Sequence, residues 1–305
     1  MKKCFGVCED AHLYVIIPYF NFCTSSRRHN LFIEFFARYV NTPQVRFVVV
    51  ECIGKKPLPS MRNVFMHIKI ETNDVLWIKE SLINVAIERL PRCWNYVAWI
   101  DADITFINED WASDTIEALK TFDIVQCFHT AVHLGPIGEP IKQDKSFGYM
   151  HVSSGTPYVK NDKYGFWHPG FAWACTRSAY KKMGRLLDWA ILGSGDRHLA
   201  LALIGRVLES APRTVHGNYK TLLATFQDSV RGLKLGWVPG TIVHHWHGSL
   251  KDRKYKERWD ILTSGQYDPL ADTGLTRHGL IQFTPQGKRF VQPIKQYFHD
   301  RKEDD

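Results

Sequence analysis

The chain has 305 residues, of which 45% are hydrophobic and 13% aromatic, so its composition excludes an intrinsically disordered protein and provides for a large core. Its formal net charge of +8 favours polyanionic partners such as nucleic acid, phosphorylated substrates or an anionic membrane surface. The seven cysteines are odd in number and contain no C-x-x-C pair, which indicates a reducing compartment. We expect a soluble, cytoplasmic protein, because the early apolar run 13–20 is too short to span a bilayer and contains a proline.

The first hundred residues alternate between strands and helices. In chain order, apolar runs and helical periodicity predict a strand over 13–17, a helix over 30–39, a strand over 46–51, a helix over 77–90 and a strand over 96–100. This alternation predicts an α/β fold with a mostly parallel, doubly wound sheet. Sheets of that kind bind ligands at the carboxyl ends of their strands.

Two carboxylates, Asp101 and Asp103, follow the third predicted strand with one residue between them. Residues two apart in a strand share a face, so both side chains come to the same carboxyl edge. Hard oxygen ligands on one short turn suit Mn²⁺ or Mg²⁺, ions that also hold substrate phosphates. A solvated Asp-x-Asp turn is the alternative interpretation. Because the sequence contains no dinucleotide-binding or P-loop glycine motif, we expect a metal ion to hold the phosphates.

The second half of the chain is less regular. Residues 133–165 are rich in Gly, Pro, Ser and Lys and predict a long active-site loop. Helices are predicted over 178–190 and 195–208, and a strand or turn over 238–247 contains three histidines in its last four residues. A basic helix is predicted next, over 251–258.

The order of these features resembles the GT-A glycosyltransferases over roughly residues 11–262. The matching segments, in chain order, are Pro18-Tyr19-x-Asn21, Glu51, Asp101-x-Asp103, the aromatic and glycine-containing stretch 167–174, Gly193-Ser194-Gly195-Asp196 and the late histidine-rich strand. The resemblance implies a GT-A domain over 1–262, with a mostly parallel sheet flanked by helices, and a C-terminal extension over 263–305 packed on the same domain. It also implies transfer of a sugar from a UDP-sugar to a hydroxyl acceptor with Mn²⁺ or Mg²⁺ as cofactor.

The resemblance implies a role for each donor-side residue. Asp103 would ligate the metal directly, Asp101 would bind ribose or metal, and either His247, which we favour, or His245 would complete the metal site. The remaining residues expected to contact the donor are Pro18, Tyr19, Asn21, Glu51, Lys79 and Asn84. Alternative interpretations are an ordinary polar strand end for Glu51, a solvated lysine at position 79 and a helix-packing asparagine at position 84.

Asp196 is the candidate catalytic base of an inverting transferase, in which one carboxylate takes the proton of the acceptor hydroxyl. In the family this carboxylate begins a helix after a glycine-rich turn, usually in a Glu-Asp pair, and here Gly195 takes the place of the glutamate. A helix N-cap is the alternative role for Asp196.

Within the family, the chain resembles most the phage and protist enzymes proposed to glycosylate hydroxymethylated pyrimidines in DNA, including the base J type. The matching segments are 167–174, 193–198, His247-Gly248 and Arg253-x-Tyr255-x-x-Arg258. The acceptor residues expected on this basis are Trp167, His168, Gly170, Trp173, Arg197, Arg253 and Lys254. The basic segment would contact DNA phosphates, although charged helices are often only solvated faces, and Trp173 has core packing as its alternative.

Two other functions remain open from the sequence. The first is a cytoplasmic glycosyltransferase that acts on a glycan, a lipid-linked sugar or a protein, for which the same catalytic residues serve. The second is a metal-dependent nuclease or phosphohydrolase that uses Asp101, Asp103 and His247. If the chain is phage-encoded, we expect it in the host cytoplasm.

Overall fold

The computed structural model describes residues 10–55, 57–155, 157–159, 167–249 and 251–304. Its strands are β1 Asp10–Tyr19, β2 Val45–Cys52, β3 Met66–Ile70, β4 Trp94–Ile100, β5 Ile104–Phe106, β6 Ile124–Gln126, β7 Thr130–Leu134, β8 Pro140–Lys145, β9 Ala172–Thr176, β10 Leu235–Trp237, β11 Thr241–His244, β12 Thr273–Leu275 and β13 Ile281–Phe283. Its α-helices are α1 Ser26–Tyr39, α2 Lys79–Glu88, α3 Trp111–Ala118, α4 Phe147–Ser153, α5 Arg177–Met183, α6 Gly195–Leu203, α7 Gly217–Val230, α8 Arg258–Ser264, α9 Pro269–Asp272 and α10 Val291–Asp300. Short 3₁₀ helices cover Val207–Ser210 and Gln286–Phe290.

The central sheet confirms the predicted α/β fold with mostly parallel strands. Its strand order is β10-β6-β9-β4-β1-β2-β3, and only β9 runs antiparallel to its neighbours among the described strands. Strand β1 is buried on both faces: Leu13 and Val15 pack in the core cluster that contains helix α1, and Tyr14 and Ile16 in the cluster that contains helix α2. The alternation follows from the two-residue repeat of a strand. The parallel pairing of β1 with β4 places the carboxyl ends of these two strands side by side.

A second sheet, in the order β5-β11-β7-β8, lies next to those carboxyl ends. It corrects the prediction of a long loop over 133–165, because this range holds the end of β7, all of β8 and helix α4. The turn between β7 and β8 includes Gly138 at φ +86°, a conformation that glycine adopts without strain. Strand β8 reads Pro-Ile-Lys-Gln-Asp-Lys, so apolar alternation does not reveal it. Residues 156 and 160–166 of the predicted loop lie outside the described residues.

The predicted basic helix over 251–258 is wrong. Residues 251–257 form turns and helix α8 begins at Arg258. Lys254 has φ +45°, a left-handed conformation that is incompatible with a continuous right-handed helix. The helices predicted over 178–190 and 195–208 exist but end earlier, at Met183 and Leu203.

The C-terminal segment returns to the beginning of helix α1. The Asp304 carboxylate accepts hydrogen bonds from Ser25 Oγ at 2.7 Å and from the backbone N–H of Arg27 at 2.8 Å, which satisfies donors at the helix N-terminus. Phe298 packs against Phe22 and Trp77. The division of the chain at residue 262 stays a prediction. None of the described helices is long and apolar enough to cross a lipid bilayer.

Candidate active site

A cavity of about 520 Å³ opens at the carboxyl ends of β1 and β4. Further walls come from the second sheet, the start of α6 and, near the C-terminus, Arg301. The predicted site residues that line it are Pro18, Tyr19, Lys79, Asp101, Asp103, Trp167, His168, Gly170, Asp196, Arg197, His247 and Arg253. The fold therefore brings together twelve of the predicted side chains from six separate parts of the sequence.

Asp103, His244 and His247 form a group in which one ligand atom from each residue lies within 4.8 Å of those of the other two. His247 Nε2 is 2.8 Å from Asp103 Oδ2, and His244 Nε2 is 3.3 Å from His247 Nε2. Asp103 Oδ1 and His244 Nδ1 are buried and have no hydrogen-bond partner among the described residues. Because buried polar atoms are normally satisfied, the orphaned Asp103 Oδ1 fits a site built to receive a cation.

The protonation states of this group suit metal binding. Burial, reinforced by the cation of Arg253, lowers the pKa of His247 to about 4. Burial also lowers the pKa of His244 well below its ordinary value. Although burial alone would raise it, the adjacent His247 ring holds the pKa of Asp103 well below its ordinary value. At neutral pH the group therefore presents two neutral imidazoles and a carboxylate, a donor set that suits Mn²⁺ better than the oxygen-seeking Mg²⁺.

His244 takes the position that the sequence analysis gave to His245 as the alternative ligand. His245 Nε2 lies 2.8 Å from Thr105 Oγ1, and its backbone N–H donates to Asp103 O. Consecutive side chains at a strand end point to opposite sides, so only one of this pair can face the cavity. The strand register was the missing information, because His244 pairs with His133 of β7 and with Ile104 of β5.

Lys79 connects two carboxylates that are far apart in sequence. Its Nζ lies 2.7 Å from Asp101 Oδ1 and 3.0 Å from Asp196 Oδ2. Although burial disfavours a charged amine, these two carboxylates raise the pKa of Lys79 above its ordinary value. Burial raises the pKa of Asp101 to about 6, against the opposing charge of Lys79. Lys79 is thus a buried, charged bridge between the Asp-x-Asp turn and helix α6, and the alternative of a solvated lysine is wrong.

Glu80 is a buried acid behind Asp196 that the sequence analysis did not identify. Burial, together with the charge of Asp196, raises the pKa of Glu80 to about 8. A Cβ atom at Gly195 would overlap the Glu80 carboxylate, so any larger residue there would force the Glu80 side chain to shift. Helix α6 begins at Gly195 with Ser194 as its N-cap, at φ +82°. Asp196 therefore lies in the first turn of the helix, and its interpretation as the N-cap is wrong.

Three buried arginines form another part of the cavity wall. Arg253 Nη2 is 3.0 Å from His247 Nε2, Arg258 donates to Ser194 Oγ at 2.6 Å, and Arg301 lines the cavity while pairing with Glu303 at 2.7 Å. Arg253 Nε is buried without a hydrogen-bond partner among the described residues. A guanidinium group can donate two parallel hydrogen bonds to the oxygens of one phosphate, so these arginines suit a diphosphate.

The basic surface predicted over 251–258 is smaller than expected, because two of its five basic side chains are buried, while Lys251 and Lys256 remain exposed. Arg253 and Arg258 are each 8% exposed and turn into the cavity. Lys254 forms an ion pair with Asp300 at 2.7 Å and does not line the cavity. The sequence shows how many charges the segment carries, but the direction of each side chain depends on the turns at 251–257.

Two of the three aromatic residues predicted to contact the acceptor line the cavity. Trp167 packs against Phe147, with ring centroids 5.2 Å apart, and the His168 ring stacks on Phe171 at 4.1 Å. Trp173 is fully buried in β9, where its Nε1 donates to Pro169 O at 2.8 Å. The prediction that it contacts the acceptor is wrong, because its side chain belongs to the core.

Three predicted donor residues do not line the cavity. Glu51 is fully buried and accepts hydrogen bonds from Leu58 N at 2.7 Å and from His67 at 2.8 Å. Asn84 is fully buried and bonds to Leu186 O at 3.0 Å, which is the helix-packing alternative. Asn21 stabilises the turn before helix α1. Its Nδ2 donates to Ser25 O, and its Oδ1 accepts from Ser25 N.

The sequence matches no family model, and no curated protein is similar to it. Several solved structures are similar in fold. One is the catalytic domain of Drosophila β1,4-galactosyltransferase 7 in complex with xylobiose, at 12% identity and a TM-score of 0.38, with 74% of this chain and 64% of that chain covered. Another is TarS of S. aureus, at 14% identity and 0.41, with 62% and 54% covered.

A third is the mannosyltransferase PcManGT of Pyrobaculum calidifontis in complex with GDP-Man and Mn²⁺, at 16% identity and a TM-score of 0.42, with 98% of this chain and 74% of that chain covered. The chain thus spans less than two thirds of the galactosyltransferase and TarS chains.

Proposed function

We propose that the chain is a metal-dependent glycosyltransferase of the GT-A class, which moves a sugar from a nucleotide sugar, preferably a UDP-sugar, to a hydroxyl acceptor. One observation carries the proposal: a single cavity contains a group able to hold a divalent metal, a wall of buried arginines and the Asp196 carboxylate. The cavity has the place at the sheet edge that nucleotide sites have in open α/β sheets. A nuclease is less well supported, because it would use Asp101 as a metal ligand, and the Asp101 carboxylate already forms an ion pair with Lys79.

Charged groups of the cavity would hold the diphosphate of the donor. Asp103, His244 and His247 would hold the metal, which when bound supplies positive charge for the departing diphosphate. Arg253, together with Arg258 and Arg301, would contact phosphate oxygens in place of a glycine-rich loop. These groups are fixed before the substrate arrives, so they stabilise the developing negative charge without reorganising.

Asp196 is proposed as the base of a single displacement. Its carboxylate takes the proton of the acceptor hydroxyl, the acceptor oxygen bonds to the anomeric carbon, and the bond from that carbon to the diphosphate oxygen breaks. Attack opposite to the leaving group inverts the configuration at the anomeric carbon. The ion pair with Lys79 holds the Asp196 carboxylate in place at the cavity wall.

For the acceptor we propose a hydroxymethylated pyrimidine in DNA, on the resemblance of segments 167–174 and 193–198 and on the position of Trp167 and His168 at the cavity wall. Aromatic and imidazole rings stack on an extruded base, as they do on a sugar. The basic helix no longer supports this acceptor, since Arg253 turns inward. The acceptor is therefore tested separately from the donor.

The donor test measures binding of a panel of nucleotide sugars by calorimetry, with Mn²⁺ and with EDTA. We expect a UDP-sugar to bind only with the metal, and Asp103→Asn to abolish that binding. His245→Ala is the matched control, because His245 is a neighbouring histidine outside the metal group, and it should bind the donor normally. Undiminished affinity in EDTA would overturn the metal-dependent model.

The acceptor test measures transfer of label from the donor to duplex DNA that carries 5-hydroxymethylated pyrimidines, with unmodified DNA and a set of oligosaccharides alongside. We expect label only on the hydroxymethylated DNA. Transfer to a saccharide without transfer to DNA would refute the DNA acceptor and leave the glycosyltransferase proposal intact.

A further inference from the structure

The second sheet carries another cluster of metal-ligating side chains, separate from Asp103, His244 and His247. His133 lies on β7, Asp144 on β8 and His168 in the segment before β9, and their ligand atoms all lie within 4.8 Å of one another. His133 Nε2 is 2.9 Å from Asp144 Oδ2. None of the three residues is more than 7% exposed, and all three line the cavity.

We propose that His133, Asp144 and His168 form a second divalent-metal site that binds a transition metal of the zinc class. Two imidazoles and one carboxylate are a ligand set found for Zn²⁺, Co²⁺ and Fe²⁺. Three protein ligands would leave coordination positions open to a further ligand, and all three residues line the cavity. Such a site resembles catalytic metal sites more than closed structural ones.

The protonation states again suit a metal. Burial, together with the neighbouring His133, lowers the pKa of His168 to about 3, so its ring is neutral at physiological pH. Although burial opposes it, hydrogen bonds from His133 and Lys142 lower the pKa of Asp144. The cluster therefore holds one carboxylate charge, which Lys142 compensates when no metal ion is bound.

The two metal groups are adjacent but share no ligand. His133 pairs with His244 in the parallel register of β7 and β11, and their ring centroids are 5.2 Å apart. The Phe171 ring stacks on His168 at 4.1 Å and lies 4.8 Å from His244. Because each group has its own carboxylate, removal of one should leave the other able to bind an ion.

Lys142 gives the proposal a sharp test. Its Nζ lies 2.8 Å from Asp144 Oδ2, where its charge opposes a bound cation. The Lys142 side chain is 34% exposed, so its ammonium can turn toward solvent when an ion binds. Lys142→Met removes the competing charge and keeps most of the side-chain volume. We expect this variant to bind the metal at this site about tenfold or more tightly. The repulsion between two positive charges a few ångströms apart near a protein surface is large enough to account for that change in affinity.

The experiment titrates EDTA-treated protein with Co²⁺ and follows both calorimetry and the visible absorption of bound Co²⁺. We expect two equivalents for the unmodified chain and one for Asp144→Asn. A variant with Asp103→Asn and His247→Ala should also bind one equivalent, which identifies the second site. His129→Gln is the matched control, because His129 belongs to neither group, and it should still bind two.

An Asp144→Asn variant that binds as many equivalents as the unmodified chain would overturn the proposal. If Asp144→Asn does not fold, as judged by its thermal transition in EDTA, Lys142→Met decides the question. An unchanged or weaker Co²⁺ affinity in that variant would equally refute a metal site. The donor proposal is tested with nucleotide sugars, so either can fail without the other.

Discussion

Lys79 Nζ lies 2.7 Å from Asp101 Oδ1, which ties the first residue of helix α2 to the turn that follows strand β4. The same nitrogen reaches Asp196 Oδ2 at 3.0 Å. Because the Lys79 side chain is only 6% exposed, water screens these charges little. Asp101, proposed to contact the donor, and Asp196, proposed to take the acceptor proton, therefore share one counter-ion.

Lys79→Met should destabilise the protein, because it removes the buried cation that pairs with the partly buried carboxylates of Asp101 and Asp196. Loss of one partner of a buried ion pair typically costs about 3–5 kcal/mol in the free energy of unfolding. Chemical denaturation measures the change. Lys69→Met is the control: Lys69 is 46% exposed and 4.0 Å from Glu51, so its loss should cost less than about 1 kcal/mol. Equal losses in the two variants would contradict the structural role of Lys79.

Asp196→Asn should keep donor affinity and lose turnover by roughly 10²–10⁴-fold, the usual contribution of a positioned general base. Lys79 retains Asp101 as a partner in this variant, so the fold should remain intact. Donor calorimetry and product formation measure the two effects. Asp228→Asn, at an exposed ion pair with Arg231, should change neither. An NMR spectrum that shows a retained anomeric configuration would refute single displacement by Asp196.

Glu80 predicts how stability depends on pH. Its pKa is about 8 in the folded protein and 4.5 ordinarily, so folding favours the protonated acid. The resulting stabilisation is complete below about pH 4.5 and is lost as the pH rises through about 8. Glu80→Gln stays neutral, so its melting temperature should fall less between pH 5 and pH 9 than that of the unmodified chain. Glu88→Gln, at a half-exposed position, should show the unmodified slope. Identical slopes for the unmodified chain and Glu80→Gln would refute the raised pKa.

Arg301 tests the contribution of the C-terminal segment to the donor site. Its guanidinium lies over the Trp77 ring at 5.3 Å and lines the cavity. Arg301→Ala should weaken nucleotide-sugar binding by about 10- to 100-fold, the value of a hydrogen bond to a charged group. Arg301→Lys should recover part of the affinity, because it keeps the charge without the planar fork. Arg231→Ala, at a position 75% exposed, is the control and should bind the donor normally.

The sequence alone predicts the structural features that depend on the pattern of residues within a short segment. Strands β1, β2 and β4 were predicted within a few residues of their ends, because buried parallel strands are nearly continuous apolar runs. The parallel arrangement then followed from the alternation with helices, and the strand ends indicated where a site would form. Asp103 and His247, expected together from motif order, lie 2.8 Å apart.

Side-chain direction and long-range pairing were decided only by the tertiary structure. Lys79 and Asp196 are 117 positions apart, and no local pattern relates them. Whether His244 or His245 faces the cavity depends on the strand register, and the inward turn of Arg253 depends on the turns around it. Helical and strand periodicity arise from backbone geometry within a few residues, whereas the environment of a buried charge is set by whichever distant segments pack around it. For that reason the sequence indicated the edge of the sheet where chemistry occurs, and the fold determined which side chains meet there.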